Sequence, residues 1–329
     1  MRTRHGHFGA AFATIVLFCA LAHSAALAGD APTTKRVPTV HNIKTVFIIL
    51  MENHNWTGDG SKDIKGNASA PYINNTLLPM ASHAEQYFNP PHIHPSLPNY
   101  LWLEAGTNFG ILNDGPPSKN AQDTTSHLVT LLQAAGVSWK AYLENSPKKT
   151  CPLTDSGPID QNGDPLYAVR HEPFAYFDDV TENLNKHSTN CIAHLRPYTE
   201  LAKDLKKNTL AQYNWITPNL CDDMHDPCAG NTIAHGDTWL SQNVPAILAS
   251  KAYQEGGALF ITWDEADSGD GPIGMIVLSP FAKGGGYSNT IAYTHGSTLR
   301  TIEEIFGASP LLGDASKQQD LSDLFNVFP

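Results

Sequence analysis

The chain has 329 residues, is 41% hydrophobic and 16% charged, and carries a formal net charge of -11. That acidity argues against a nucleic-acid partner, because such binding rests on lysines and arginines that neutralise phosphates. The composition is that of a globular protein, with no internal repeat or low-complexity tract, and about 300 residues suffice to bury the core of one large domain.

In chain order, Arg2 and Arg4 precede an apolar run from Ala10 to Ala22 and the small-residue triplet Ala26-Leu27-Ala28. This is the pattern of an export leader, residues 1–28, cleaved before Gly29. The run is shorter than the roughly 20 apolar residues that span a bilayer, and no later segment reaches that length. The expectation is an exported protein, periplasmic or secreted, without integral membrane association. Cys19 is a poor lipidation site, because Leu17 and Phe18 stand where small residues are wanted. Loss of two arginines with the leader moves the formal charge from -11 to -13.

Residues 29–42 read as a flexible polar start, and residues 43–329 as a single domain. Thr45 to Met51 is a continuous apolar, β-rich run, the mark of a buried central strand. It ends abruptly in Glu52-Asn53-His54-Asn55, and the carboxyl ends of buried strands are where α/β sheets place their sites. The stretch from Ser61 to Pro95 reads as irregular. Ser96-Leu97-Pro98-Asn99 then opens a helix, with Pro98 in its first turn. Further helices are predicted at Ser126–Ala135, at Asp237–Ala249 with Asp237 or Thr238 as cap, and at Ser297–Phe306. Strands are predicted at Ser138–Leu143, Tyr213–Ile216, Ala258–Trp263 and Met275–Leu278. Strands alternating with helices argue for a layered α/β domain.

The strand ALFITW runs straight into Asp264-Glu265, so two buried strands deliver acidic pairs at their tips. Glu52, Asn53, Asp264 and Glu265 offer the oxygen ligands that hard divalent cations prefer. Acids at strand ends also cap helices, and a serine before a helix is commonly a plain cap. A hydroxyl beside the positive end of a helix can instead meet a phosphate. Once the leader is gone, Cys151, Cys191, Cys221 and Cys228 remain, an even number in an exported chain. The preferred pairing is Cys151 with Cys191 and Cys221 with Cys228; a zinc site is the rival, without any CxxC to support it. Asp160 to Asp164 opens like a calcium loop but fails, with Pro165 at the glycine position and His171 at the final glutamate position.

The blocks MENHNW, HPSLPNYLWLEAGTNFGI, RHEPFAYFDDV, WITPNLCDDMHD, LFITWDEAD and YTHGSTLRTIEEIFG resemble, in order, the bacterial phosphoesterase family of acid phosphatases and phospholipases C. The family belongs to the alkaline phosphatase superfamily. The resemblance implies an α/β fold with a central, mostly parallel sheet flanked by helices on both faces. It implies a phosphoric ester hydrolase with a divalent cation, of identity and number unknown, held by Glu52, Asn53, Ser96, Asp264 and Glu265. Ser96 would be nucleophile and ligand together, as nucleotide pyrophosphatases with a similar Thr-x-Pro-Asn arrangement also suggest. His225 and His295 resemble the family's site histidines and would stabilise charge or deliver a proton. Asn113 is similar to a phosphate-binding asparagine, and His94 would face the substrate. The expected substrate is a small phosphomonoester, passing through a phosphoserine intermediate. The alternatives are a phospholipase C acting on phospholipid head groups and, in another class, an exported protein that binds phosphate or metal without turnover.

Overall fold

The computed structural model describes residues 41–329, so the expected leader, 1–28, and all but the last two residues of the expected polar start, 29–42, lie outside the described residues. Among the described residues, eight strands form one sheet: β1 (Thr45–Met51), β2 (Ser82–Phe88), β3 (Trp139–Leu143), β4 (Leu195–Pro197), β5 (Tyr213–Thr217), β6 (Gly257–Trp263), β7 (Met275–Leu278) and β8 (Tyr287–Thr294). Their spatial order is β8-β2-β7-β6-β1-β5-β3-β4. Every pairing is parallel except those of β7, which runs antiparallel to both β2 and β6. β1 and β6 lie at the centre and are buried almost throughout, which is why they read as unbroken apolar runs.

The principal helices are α1 (Ser96–Ala105), α2 (Leu128–Ala134), α3 (Leu201–Lys207), α4 (Thr232–Leu248) and α5 (His295–Phe306). α1 ends at Gly106, whose φ of 66° is left-handed; a Cβ there would stand 2.7 Å from the Leu312 carbonyl oxygen, so glycine is required twice over. Both disulfides form with the expected pairing.

Three expectations are corrected. The stretch from Ser61 to Pro95 is not irregular throughout: SHAEQYF forms β2, and its polar residues hid it from a search for apolar runs. α4 begins at Thr232, five residues before the expected start, because the Asn231 side chain accepts from the Ala234 amide and caps it. Asp237, the supposed cap, is buried inside the helix and accepts from the amides of Tyr72 and Ile73. β8 was also missed; its alternating half-exposed pattern at the sheet edge lacks the apolar run of a central strand. The calcium-like segment is a tight turn, with Asp160 Oδ1 accepting from the Asn162 and Asp164 amides.

Register positions the site. Met51 pairs with Trp263 across β1 and β6, so the two strands end level and place Glu52 beside Asp264. The Asp264 amide donates to the Met51 carbonyl over 3.0 Å, and the Glu52 amide to the Asp223 carbonyl over 2.7 Å. Three strand tips, those of β1, β5 and β6, therefore meet at one end of the sheet.

Candidate active site

The centre is a buried acidic cradle closed by the first turns of α1. Ser96 and Tyr100 are one helical turn apart and face the same way. Ser96 Oγ donates to Glu52 Oε2 over 3.1 Å, and Tyr100 Oη donates to Glu52 Oε1 over 2.5 Å. Asn99, on the adjoining face, donates through Nδ2 to Glu265 Oε2 over 3.1 Å. Asn53 adopts a φ of 34°, and its amide donates to Asp264 Oδ1 over 3.1 Å. One heavy atom of its side-chain amide lies 3.1 Å from Glu52 Oε2 and 3.2 Å from Asp264 Oδ1. Turned one way, that amide donates to both carboxylates. Turned the other way, it adds an oxygen to those of Glu52 and Asp264, the arrangement a cation collects. Asp264 Oδ2 is buried and has no hydrogen-bond partner among the described residues.

The electrostatics are those of acids short of countercharge. Burial, reinforced by Asp264 and Asp223, holds the Glu52 carboxyl well above the usual carboxylate range. Burial likewise pushes Asp264 up to about 6, and burial with the Asp264 charge pushes Glu265 up to about 9. Asp223 is also raised by burial.

Two histidines flank the cradle. His171 stacks on Tyr100 with ring centroids 5.5 Å apart and planes 2° from parallel. Its Nδ1 lies 3.2 Å from Asp223 Oδ2 and its Nε2 3.4 Å from Glu52 Oε1. His225 pairs through Nδ1 with Asp226 Oδ1 at 2.7 Å, its ring centroid 5.4 Å from that of His171. Glu52, His171 and His225 each present a ligand atom within 4.8 Å of the others. Burial, with Arg170 and His225 adding to it, drives His171 well below the ordinary imidazole value. For His225 burial pulls the same way, but Asp226 and Asp223 outweigh it and raise its pKa.

The other expected residues divide. His94 stands at the mouth, paired through Nδ1 with Glu265 Oε2. The mouth is a cavity of about 610 Å³ lined by residues that include Asn53, His94, Glu265 and Asp270. His295 is fully buried behind the cradle: its Nε2 meets the Asp264 carbonyl oxygen at 2.5 Å and its Nδ1 meets Tyr87 Oη at 3.1 Å. Burial drives it down to about 4. Both ring nitrogens are thus engaged on the far side of Asp264. Asn113 is exposed, and its Oδ1 accepts from the Gly115 amide and Asn120 Nδ2, both over 2.9 Å. Its neighbour Asp114 reaches the site instead, accepting from the Leu97 amide over 3.0 Å and lying 3.8 Å from Arg170 Nε.

Sequence reasoning assigned no role to Tyr100, His171, Asp223, Asp114 or Arg170. His171 and Arg170 lay within the RHEPFAYFDDV block and Asp223 within the disulfide-closed loop, so proximity to those signals was available even though roles were not.

The phosphoesterase family profile matches residues 75–309. A phosphatidylinositol-3-phosphatase of Mycobacterium tuberculosis is 29% identical over 281 residues, covering 85% of this chain and 82% of that one. A phosphate-repressible acid phosphatase of Penicillium chrysogenum is 27% identical over 232 residues, 67% of this chain and 51% of that one; this chain spans about half the length of that fungal relative. Among solved structures, a protein in the alkaline phosphatase superfamily from Vibrio parahaemolyticus matches with a TM-score of 0.53 at 11% identity, covering 86% of this chain and 73% of that one. A phosphonate monoester hydrolase of Agrobacterium radiobacter matches with a TM-score of 0.53 at 12% identity, covering 86% and 77%. At such identities the likeness carries the fold alone. With a profile match across most of its length and relatives that are phosphatases, this chain belongs to the phosphoesterase family and is a phosphoric ester hydrolase of the alkaline-phosphatase-like α/β fold.

Proposed function

We propose that the protein is an exported, divalent-cation-dependent phosphomonoesterase in which Ser96 accepts the phosphoryl group. The observation that carries this reading is the convergence of Ser96 Oγ, the Glu52 and Asp264 carboxylates and the Asn53 amide at one buried point. The donor set fits a hard cation. Oxygen ligands from Glu52, Asn53, Asp264 and Ser96 surround the point, Asp264 Oδ2 is left without a partner among the described residues, and burial raises both acids, with the Asp264 charge adding to it at Glu52. Glu265 stands at the edge of this set, its Oε2 taken by Asn99 and His94. When bound, the ion supplies positive charge that lowers the proton affinity of the Ser96 hydroxyl and neutralises phosphoryl oxygens.

The protein groups do the rest. The Glu52 carboxylate, acceptor of the Ser96 hydroxyl, orients Ser96 Oγ for attack on phosphorus, and the hydroxyl proton passes to solvent at the mouth. The bond from phosphorus to the leaving oxygen breaks, and that oxygen takes a proton from His225, which Asp226 and Asp223 keep basic. Water then attacks the phosphoserine and gives its proton to His225. Phosphate departs, and Ser96 recovers a proton from solvent. Neutral His171, stacked on Tyr100, orients Glu52 and Asp223. Arg170, whose charge is felt at both histidines, offers a fixed positive charge to phosphoryl oxygens. His295 takes a positioning role in place of proton transfer, because both ring nitrogens are engaged behind Asp264. His94 faces substrate at the mouth.

Two disulfides support residence in an oxidising compartment, periplasmic or extracellular. No helix among the described residues is long and apolar enough to cross a membrane. The substrate class is a small phosphomonoester, which includes a phosphorylated lipid head group. The test sets 4-nitrophenyl phosphate beside bis(4-nitrophenyl) phosphate and phosphatidylcholine, with wild type and Ser96→Ala. Faster turnover of the monoester, lost in the variant, supports the reading. Preference for either diester favours the phospholipase C alternative, and cation binding without any turnover favours the non-catalytic one.

A further inference from the structure

Apart from the phosphoryl centre, a cavity of about 570 Å³ opens beside the first turns of α4, its lining including Glu144, Tyr198, Asp222, His235, Trp239 and Asn243. That volume falls within the roughly 300–1,000 Å³ of small-molecule sites. Glu144 directly follows β3, Asp222 lies in the loop after β5, and His235, Trp239 and Asn243 recur every four residues along one face of α4. Asn219 anchors both acids, donating from its amide to Glu144 Oε2 over 3.1 Å and from Nδ2 to Asp222 Oδ2 over 2.9 Å. Tyr198 and Trp239 form an aromatic wall, with ring centroids 5.4 Å apart and planes tilted by 44°. Tyr198 Oη donates to Asn243 Oδ1 over 2.6 Å, which fixes that wall to the helix.

No lysine or arginine is among the described residues that line the cavity. Burial and the nearby Asp222 push the Glu144 carboxyl up to about 7, and burial raises Asp222 as well. His235, in the same lining, offsets Asp222 in part, but two carboxylates against one imidazole still disfavour an anion, and a neutral polyol would bring no charge to Glu144. A bare metal ion would leave most of the volume and the aromatic wall unused. A small organic cation satisfies all three features, because its charge meets the carboxylates while its alkyl or ammonium face lies against the rings.

We propose that this cavity binds a small organic ammonium group, held by Glu144 and Asp222 against the Tyr198–Trp239 wall. Asp222 and Asp223 are consecutive residues of the loop closed by Cys221 and Cys228. One faces the cavity and the other pairs with His171, so an occupant touches the loop that carries Asp223 and His225. The ammonium belongs either to the leaving alcohol of a phosphorylated amino alcohol or to a separate amine. The first case rests on the hydrolytic reading above, whereas binding itself does not.

The experiment is calorimetric titration of the wild-type protein with choline and with its uncharged isostere 3,3-dimethylbutan-1-ol at about pH 8, a unit above the Glu144 value. Choline should bind, and the isostere at least about tenfold more weakly. The isosteric Glu144→Gln and Asp222→Asn should each weaken choline about tenfold while the protein stays folded. For the source, kcat/KM of phosphocholine is compared with that of ethyl phosphate. A preference for phosphocholine that disappears in Glu144→Gln assigns the ammonium to the leaving group, and equal values alongside choline binding assign it to a separate amine. Equal binding of choline and isostere, or binding of neither, overturns the proposal. A protein that binds choline but hydrolyses no phosphate ester would sink the hydrolytic reading and leave the cavity assignment standing.

Discussion

Two charge clusters, both touching α1 and each with buried acids at its heart, are built on opposite principles. At the carboxyl end of α1, Glu104 Oε1 pairs with His127 Nδ1 at 2.8 Å and accepts from the Val129 amide over 2.9 Å. His127 Nε2 pairs with Asp179 Oδ1 at 3.0 Å, and the imidazole stacks on Phe177 with centroids 3.9 Å apart. Burial opposes the imidazolium, but Asp179 and Glu104 outweigh it and raise His127 to about 9. This cluster carries its own cation. At the amino end of the same helix, Glu52, Asp223, Asp264 and Glu265 gather without a lysine or arginine in hydrogen-bonding contact among the described residues, and all four are raised by burial. Acids that the chain neutralises for itself hold structure together; acids left short of charge mark where something from outside is expected.

The largest effect tests the hydroxyl that the unneutralised cluster surrounds. Ser96→Ala should lower kcat/KM for a phosphomonoester on the order of 10³-fold or more, with thermal unfolding little changed. Next comes the cluster's charge deficit. Chelation or Asp264→Asn should cut turnover by about 10²-fold or more, yet Asp264→Asn should raise the melting temperature of the cation-free protein near neutral pH, because it removes one of the repelling charges. The sign follows from linkage: a carboxyl raised when folded takes up protons on folding, so its contribution is present at acid pH and lost as pH climbs from about 4 through the Asp264 value of about 6. Adding a divalent cation should restore that stability.

The self-neutralised cluster should behave in the opposite sense with respect to charge removal. His127→Leu leaves two carboxyls without their cation and should cost about 3 kcal/mol in urea unfolding, with kcat of the folded enzyme close to wild type. Because His127 is raised when folded, its contribution is complete below about 6.5 and fades as pH rises through about 9. A smaller effect is expected at His295, which touches only the far side of the cradle. His295→Ala should weaken cation affinity about 10- to 100-fold, as outer-shell changes do, and added cation should recover much of kcat. Loss of activity that excess cation cannot restore would return His295 to proton transfer. At the small end, Asn113→Ala should leave kcat/KM near wild type and stability within about 0.5 kcal/mol, since the hydrogen bonds of this exposed side chain reach only Gly115 and Asn120, away from the cradle.

The unneutralised cluster was the more legible of the two from sequence, because its acids end apolar strands that stand out. Glu52 and Asp264 follow β1 and β6, whose burial made them continuous runs, and the level ending of those strands brings the acids together. Ser96 was marked by Pro98 in the first helical turn. What escaped was whatever depends on long-range packing of short or polar segments. β2 and β8 carry polar residues, and the cap of α4 lay outside the apolar period. His171 reaches Glu52 only because its turn packs against Tyr100. Glu104 and Asp179 of the other cluster lie within the HPSLPNYLWLEAGTNFGI and RHEPFAYFDDV blocks, but nothing in the sequence paired them with His127, since residues 104, 127 and 179 are joined only by the packing of α1, α2 and a one-turn helix from Asp178 to Thr181.

Gly236 joins α4 to both the stapled loop and the site. A Cβ there would lie 2.3 Å from Met224 Cγ and 2.8 Å from Met51 Cε, so α4 presses on both the β1 tip and the stapled loop. Met224, against which α4 packs there, lies between Asp223 and His225 in the chain.

The most direct measurement is calorimetric titration of a divalent cation into chelator-stripped protein near neutral pH, repeated in buffers of different ionisation enthalpy. Carboxyls raised by burial must give up protons when an ion takes their place, so saturable binding accompanied by proton release is expected, and Asp264→Asn should diminish both. No binding, or binding whose heat is the same in every buffer, would contradict it.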